Sequence, residues 1–332
     1  MMRGPPRPQF DPAVSDRRRW FESFFLLNRF TNAVISAVGK AALSCLIWPR
    51  FVAPFRWKLT RQPLPLSPLP PAFSGYTLLQ LTDLHVGKTR ESYLHEVIAR
   101  CLQEKPNLVV ITGDLIDYGV DNVEILERVL QPLMQAGIPD GVVAIFGNHD
   151  YHEYSWRHIG RRSAQRAIHK RLVKLLERMG IRLLRNEQVR VVRGGEGGGE
   201  IAIVGMDEMW TDRADPEVAF AGLSENDAVI CLQHNPDGVE VLKNFPWQYM
   251  LCGHSHGGQA NFPLVGALYV PMRHRQYLRG LFHFAPLARQ NMSQRTMFVS
   301  TGLGYSHPIR LRCAPEATLF TLEPAPIART DF

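Results

Sequence analysis

The feature that most constrains this chain is a repeated local pattern, an apolar run that stops in a cluster of Asp, Asn and His. "LLQLTDLH" stops in Asp83 and His85, "LVVITGDLID" in Asp114 with Asp117 three residues on, and "VVAIFGNHD" in Asn148 and His149. "AVICLQH" stops in His234, and "YMLCGHSH" in His254 and His256. Short apolar runs bounded by turn residues read as buried strands. In layered α/β folds ligands sit outside the carboxyl ends of strands, so a fold that aligns these strands gathers the clusters in one crevice. Each cluster alone has an ordinary explanation as a turn, a helix cap or a satisfied histidine. Five of them, all at strand ends and all drawn from the same three residue types, are not explained by turns.

The residue types point to metal chemistry. Imidazole combined with carboxylate or amide oxygen suits Mn, Fe or Zn, whereas a lone Mg or Ca site draws on oxygen ligands. A carboxylate can bridge two cations held ~3.5–4 Å apart around a shared hydroxide, which attacks while the ions clamp phosphoryl oxygens. The implied reaction is hydrolysis of a phosphate ester or anhydride.

Between the polar clusters, the pattern predicts strands over 76–84, 107–113 and 141–146 alternating with helices over 91–104, 121–135 and 161–179. That alternation signals a layered α/β fold. The later apolar runs, 181–193, 201–206, 227–233, 248–252, 267–271, 296–300 and 316–322, have fewer helices between them, so more than one sheet is expected. "GGEGGGE", residues 194–200, reads as a flexible hairpin connection.

The ordered set Asp83-x-His85, Gly113-Asp114-x-x-Asp117, Gly147-Asn148-His149-Asp150, His234 and Gly253-His254-x-His256 resembles the calcineurin-like metallophosphoesterase superfamily. "VGMDEMW", "LQHNPD", "GHSHGGQ" and "STGLGYSHPIRLRCAPEATLFTL" extend the resemblance over roughly residues 76–324. They are similar to a bacterial, membrane-associated branch that includes UDP-2,3-diacylglucosamine hydrolases. The resemblance implies a four-layer αββα sandwich, two mixed sheets flanked by helices, and two divalent metal ions. It assigns Asp83, His85 and His256 to one metal, Asn148, His234 and His254 to the second, and Asp114 as the bridge. His149 is then no ligand but an electrostatic stabiliser or general acid at the phosphoryl or leaving oxygen, and Asp117 orients it. Tyr151, His152, Glu153 and Tyr154 stay outside the metal chemistry, with His152 and Glu153 as helix-entry or substrate-rim groups. Arg310 and Glu316 match the family's tail as structure near the site.

Charge is distributed unevenly. Residues 1–60 hold ten Lys/Arg and three Asp/Glu, while the remaining chain holds 28 of each, so the net charge of +7 belongs to the N-terminal segment. A nucleic-acid partner is therefore not expected. From Trp20 to Pro49 the chain is apolar and aromatic but interrupted by Glu22, Arg29 and Lys40. Flanked by Arg17, Arg18, Arg19, Arg50, Arg56 and Lys58, it reads as a helix lying in an anionic bilayer surface. The alternative is a helix packed on the catalytic domain. The expected domains are a basic, apolar membrane-associating segment at 1–58, a Pro-rich linker at 59–75 and the catalytic domain at 76–325. Residues 157–193 carry twelve Arg/Lys against two Glu, either as an ordinary solvated helix face or as a flank toward an anionic membrane or substrate. Five widely spaced cysteines argue against a disulfide framework.

The expected function is hydrolysis of a phosphodiester or pyrophosphate, with UDP-2,3-diacylglucosamine or a similar lipid-linked anion as substrate. The expected location is the bacterial inner membrane, peripheral or N-terminally anchored, at its cytoplasmic face. Mn is the expected metal, with Fe and Zn as alternatives. The rival readings are a phosphodiesterase or phosphatase acting on soluble nucleotides or phosphoproteins and a non-catalytic metal-binding scaffold. No ligand position is missing, which disfavours the scaffold.

Overall fold

A computed structural model describes residues 29, 33–40 and 43–325, apart from 118, 120, 152–161, 196, 211, 268–269, 289 and 291–293. His152, Glu153 and Tyr154 and most of the N-terminal basic and apolar segment lie outside the described residues. Residues 33–40 are helical and exposed. Among the described residues no helix is long and apolar enough to cross a membrane.

The strands form two mixed six-stranded sheets. The first runs β1 (Lys58–Leu66), β14 (Glu316–Pro324), β2 (Thr77–Leu81), β3 (Leu108–Thr112), β4 (Val142–Ile145), β5 (Arg182–Leu183). The second runs β12 (Gly280–Phe284), β13 (Arg295–Val299), β9 (Tyr249–Cys252), β8 (Val229–Leu232), β7 (Gly199–Gly205), β6 (Glu187–Arg193). A separate hairpin pairs β10 (Asn261–Phe262) with β11 (Gly266–Ala267). The central strands β2, β3 and β4 are parallel, as are β7, β8 and β9. Their carboxyl ends therefore share one edge within each sheet.

The alternation of side chains along each strand sorts the core into layers. Leu79, Val109 and Ile111 pack outward against Val97 and Ile98 of α1 (Glu91–Cys101), Leu126 and Leu130 of α2 (Asn122–Gln135) and Leu172 and Leu176 of α4 (Arg162–Arg178). Leu78, Val110 and Ile145 face the other way and meet Ile203, Ile230, Leu251 and Phe298 of the second sheet. The far side of that sheet, at Val204, Cys231 and Met250, is covered by Phe220, Leu242 and Trp247. The helices there, α5 (Pro216–Ala219) and α6 (Val239–Leu242), have four residues each. Each fully buried Leu or Phe contributes about 1.5–3 kcal/mol, so the intersheet layer dominates the mutual fixing of the two sheets. A buried hydrogen bond adds registration: Gln80 Nε2 on β2 donates to the Cys252 carbonyl at the end of β9, 3.1 Å away.

The expected linker at 59–75 is corrected by the structure. Residues 58–66 form β1, paired in parallel with β14 from Lys58↔Glu316 to Leu66↔Pro324. Leu64 and Leu66 are fully buried, while Pro63 and Pro65 alternate with them on an edge strand. A proline has no N–H to donate, and at alternate positions of an edge strand none is needed on the open side. The folded domain therefore starts before residue 76.

The basic helix is also more constrained than its composition implies. Ile168, Leu172, Leu175 and Leu176 are buried as the helical wheel requires. On its other face Arg178 pairs with Glu127 at 2.8 Å and Arg171 with Glu124, both on α2. Part of this positive charge is thus used within the fold.

Candidate metal centre

All seven proposed ligands, with Asp117 and His149, are brought to the strand-end edges. Asp83 and His85 follow β2, Asp114 and Asp117 follow β3, and Asn148 and His149 open the short helix α3 (Asn148–Tyr151) after β4. His234 follows β8, and His254 and His256 follow β9. A hydrogen bond ties the two sheets' edges together, Asp83 accepting from the His254 N–H at 3.0 Å, while within the second sheet Gly253 N–H donates to the His234 carbonyl at 3.0 Å.

The loops reach this arrangement through unusual backbone. Asp83, His85, Asp114, His254 and His256 all have positive φ, between 45° and 68°. For non-glycine residues this conformation costs about 1–3 kcal/mol each and persists only where the surroundings impose it. Glycines supply the remaining room. A Cβ on Gly147 would collide with Asp114 Oδ1, and one on Gly253 would collide with Asp83 Oδ2. The glycines of G-N-H-D and G-H-x-H are thus required by close approach of the ligand side chains.

Two groups of ligand atoms share Asp114: Asp83, His85, Asp114 and His256 form one, and Asp114, His234 and His254 the other. The same oxygen, Asp114 Oδ2, lies 3.5 Å from His85 Nε2 and 3.2 Å from His234 Nε2. His85 Nε2 and His256 Nε2 are 2.9 Å apart, a separation at which two imidazole lone pairs repel unless a proton or cation lies between them. Asn148 Oδ1 is buried and has no hydrogen-bond partner among the described residues. A buried acceptor left unpaired is costly, and it is the atom an amide offers to a cation. Orphaned acceptor, crowded imidazoles and mixed N/O donors together fit two divalent cations.

Outer hydrogen bonds fix the imidazole tautomers. His234 Nδ1–H donates to the Thr112 carbonyl at 2.7 Å, which turns Nε2 toward Asp114. His254 Nε2–H donates to the Pro271 carbonyl at 3.0 Å, which leaves Nδ1 as its ligand atom. Burial is the largest influence on His254 and, with the nearby charge on His234, lowers its pKa to about 3, so the ring is neutral. Burial opposes charge on His234 too, but the Asp114 carboxylate outweighs it and pushes the ring up to about 10. Asp114 is correspondingly held well below the carboxylate range, against burial, by His234 and His149. Without metal, Asp114 and His234 are an ion pair.

Asp117 lies between two histidines. Its Oδ1 accepts from His149 Nδ1 at 2.7 Å, its Oδ2 accepts from His85 Nδ1 at 2.9 Å, and Lys88 Nζ stands 3.0 Å from Oδ1. The contact to His149 is the one the sequence suggested; the contacts to His85 and Lys88 are additional. His149 also donates its backbone N–H to Asp114 Oδ1 at 2.9 Å. Asp150 accepts from the Leu115, Ile116 and Gly147 N–H groups and braces the two loops against each other. Burial, with the Asp114 charge, raises its pKa to about 7.

Arg310 is fully buried behind His256. It donates to the carbonyls of Thr301, Gly302 and Gly304, and to the His256 carbonyl at 3.1 Å. Glu316 accepts from the Thr301 N–H at 3.3 Å and pairs with Lys58 at 2.7 Å. The two residues lock the loops behind the metal ligands, as expected of tail positions. No local sequence signal foretold the fit of Arg310 beyond the resemblance itself.

The profile of the calcineurin-like phosphoesterase family matches residues 76–258. The chain is 30% identical to phosphodiesterase YaeI of Escherichia coli over 249 residues, 74% of this chain and 82% of that one. It is 28% identical over 301 residues to the uncharacterized metallophosphoesterase YkuE of Bacillus subtilis, covering 89% and 96% of the two chains. It is 26% identical over 323 residues to the UDP-2,3-diacylglucosamine pyrophosphatase LpxG of Chlamydia muridarum, covering 85% and 94%. With a mixed-sheet α/β fold and a donor set suited to divalent cations, the chain belongs to the calcineurin-like phosphoesterase family and is a metal-dependent phosphoester hydrolase.

Proposed function

We propose that this protein is a dinuclear phosphodiesterase or pyrophosphatase acting on a lipid-linked substrate, with UDP-2,3-diacylglucosamine as the preferred candidate. The observation that carries the dinuclear reading is Asp114, whose one carboxylate oxygen faces both groups of histidines. We read the architecture as the family's four-layer αββα sandwich, with the short helices beyond β7–β9 as its thin outer layer.

In this reading Asp83, His85 and His256 would hold one cation, Asn148, His234 and His254 the other, and Asp114 would serve both. Two bound divalent ions, Mn or alternatively Fe or Zn, would supply Lewis acidity toward the phosphoryl oxygens and a nucleophilic water at neutral pH. His149 has Nδ1 committed to Asp117, so proton delivery to the leaving oxygen is assigned to Nε2. Asp117 fixes that tautomer.

A groove beside the centre supports an apolar substrate portion. It is lined by Met209, Trp210, Val241, Pro271 and Met272 together with the polar Asp237, Glu240, Arg273 and His274, with a volume of about 540 Å³, within the range of small-molecule sites. Trp210 stands edge-on to His254 with ring centroids 4.6 Å apart, so the groove begins at a ligand of the centre. The similarity to LpxG supports the same substrate class, and the similarity to YaeI supports phosphodiester cleavage generally. We place the protein at the cytoplasmic face of the bacterial inner membrane on the strength of the apolar, basic segment 1–58.

Purified full-length protein supplied with Mn is expected to convert UDP-2,3-diacylglucosamine to a lipid monophosphate and UMP. Cleavage of bis(p-nitrophenyl) phosphate with the lipid nucleotide untouched would remove the substrate assignment and keep the chemistry. Undiminished turnover of soluble nucleotides after removal of residues 1–58 would favour the soluble-substrate reading instead.

A further inference from the structure

Between Glu240 and Glu316 the sequence contains no acidic residue, yet residues 241–315 contain eight Lys/Arg. This stretch includes the hairpin β10–β11, which follows directly after the His254/His256 pair. Its tip is apolar and unprotected. Phe262 is 39% exposed, Val265 67%, and Leu264 is as exposed as a side chain can be, at 108%. Leu264 also has φ +67°, a backbone conformation a leucine avoids, so the fold spends strain to hold this side chain outward. Isolated exposed apolar residues need no explanation, but three at one hairpin tip form a patch with no cover in the described structure.

Arginines surround the base of the hairpin. Arg275 donates to the Ala267 carbonyl at 3.1 Å, and Arg279 donates to the Arg312 carbonyl at 2.8 Å. Leu311 exchanges backbone hydrogen bonds with the hairpin's entry, accepting from Asn261 N–H at 3.0 Å and donating to the Gln259 carbonyl at 2.8 Å. Ile309, two residues before Leu311 on that neighbouring segment, is also exposed. Arg273, Arg275, Arg279 and Arg312 are all exposed. One carboxylate, Asp237, stands beside this row, accepting from the Arg273 and His274 backbone N–H groups at 2.7 and 2.9 Å, and the four arginines outnumber it. An apolar tip set beside such a row of cations has the complementarity of an anionic bilayer: hydrocarbon at the centre, phosphates around it.

We propose that the β10–β11 hairpin is a membrane-docking element that inserts Phe262, Leu264 and Val265 into an anionic phospholipid surface, with Arg275, Arg279 and Arg312 on the headgroup phosphates. The element is distinct from the N-terminal segment, and it does not depend on which phosphoester is cleaved. It brings the strand-end edge with His254 and His256 to the lipid surface, because Asn261 Nδ2 is bonded to the Gly257 carbonyl at 2.8 Å.

The test uses full-length protein carrying Leu264→Cys labelled with an environment-sensitive fluorophore, in a Cys45→Ser background. Cys101, Cys231, Cys252 and Cys313 are buried and spared by the label. Vesicles of phosphatidylcholine with phosphatidylglycerol are expected to shift the emission to the blue and to expose the probe to quenching by lipid-borne nitroxide. Pure phosphatidylcholine, high salt, or Arg275→Glu with Arg312→Glu is expected to raise the vesicle concentration required by about tenfold or more. Hydrolysis of a soluble diester by the labelled protein reports that it is folded. Sedimentation with vesicles while the probe stays in water would assign binding elsewhere and overturn the proposal. Burial of the probe with rising protein concentration alone would assign the tip to a second copy of the chain and overturn it equally.

Discussion

Asp117 holds His149 through a 2.7 Å bond to Nδ1 while its other oxygen holds His85 at 2.9 Å, so one carboxylate couples the proposed acid to a proposed metal ligand. Removing its charge has two separable effects. Asp117→Asn is expected to lower kcat by about 10–100-fold and to weaken one metal site, since outer-shell partners of metal-binding histidines carry that order of effect. His149→Ala is expected to abolish turnover while two ions per chain remain bound. Metal analysis beside kinetics of both variants decides the point, and loss of metal from His149→Ala would remove it from the acid role.

How much of this was legible in the sequence follows from how local each signal is. Strand-end clusters are local, so Asp83, His85, Asp114, Asn148, His234, His254 and His256 could be read in order and are found on two adjoining sheet edges. Lys88 reaching Asp117 could not be read, because it depends on a turn that only the folded backbone defines. Pro63 and Pro65 misled in the other direction: proline density reads as linker unless it is known that the strand lies at an edge. The short strand β12 lies outside the apolar runs read from the sequence, and the 181–193 run divides into β5 and β6 at Asn186, where φ is +57°.

Asp114 Oδ2 faces both ligand groups, so its loss should not be confined to one ion. Asp114→Asn is expected to bind fewer than one ion per chain where the parent binds two. Calorimetric titration with Mn measures this directly. Retention of one ion at the parent's affinity would show that the two sites are independent.

The Asp114–His234 pair also makes metal loading a proton-releasing reaction. In the metal-free protein His234 is raised to about 10 and carries a proton at neutral pH, which a cation at Nε2 must displace. Affinity at the Asp114, His234 and His254 group is therefore expected to rise with pH up to about 10. Titrations in buffers of different ionisation enthalpy should report about one proton released for one of the two ions. Equal heats in all buffers would contradict the ion pair.

Arg310 is a buried guanidinium whose partners are carbonyls of the loops behind His256, and no carboxylate is paired with it among the described residues. Arg310→Met leaves those carbonyls unpaired, at about 1–3 kcal/mol for each one that cannot find water. The variant is expected to lose about 3–5 kcal/mol of stability and to release metal from the Asp83, His85 and His256 group first. Urea unfolding with and without Mn measures both effects. Parent-like stability would reduce Arg310 to a filler of space.

His169 provides a pH dependence away from the metal ligands. Its ring stacks on Tyr151 with centroids 4.4 Å apart and lies 4.9 Å from Phe146, while its Nδ1 is 3.1 Å from the Asp150 carbonyl. Burial, the largest influence, lowers its pKa below the ordinary value, the Asp150 carbonyl pulls the other way, and Arg185 and Arg213 add to the lowering. The unfolded chain takes up the proton near pH 6.5 and the folded chain only at lower pH. Between those values the unfolded state holds more protons, so stability falls as pH falls. The contribution of neutral His169 is present above pH 6.5 and lost as pH drops through the folded value. His169→Gln is expected to flatten the decline in unfolding free energy of the metal-loaded protein between pH ~7 and ~5. Parallel pH profiles for parent and variant would exclude His169 as its source.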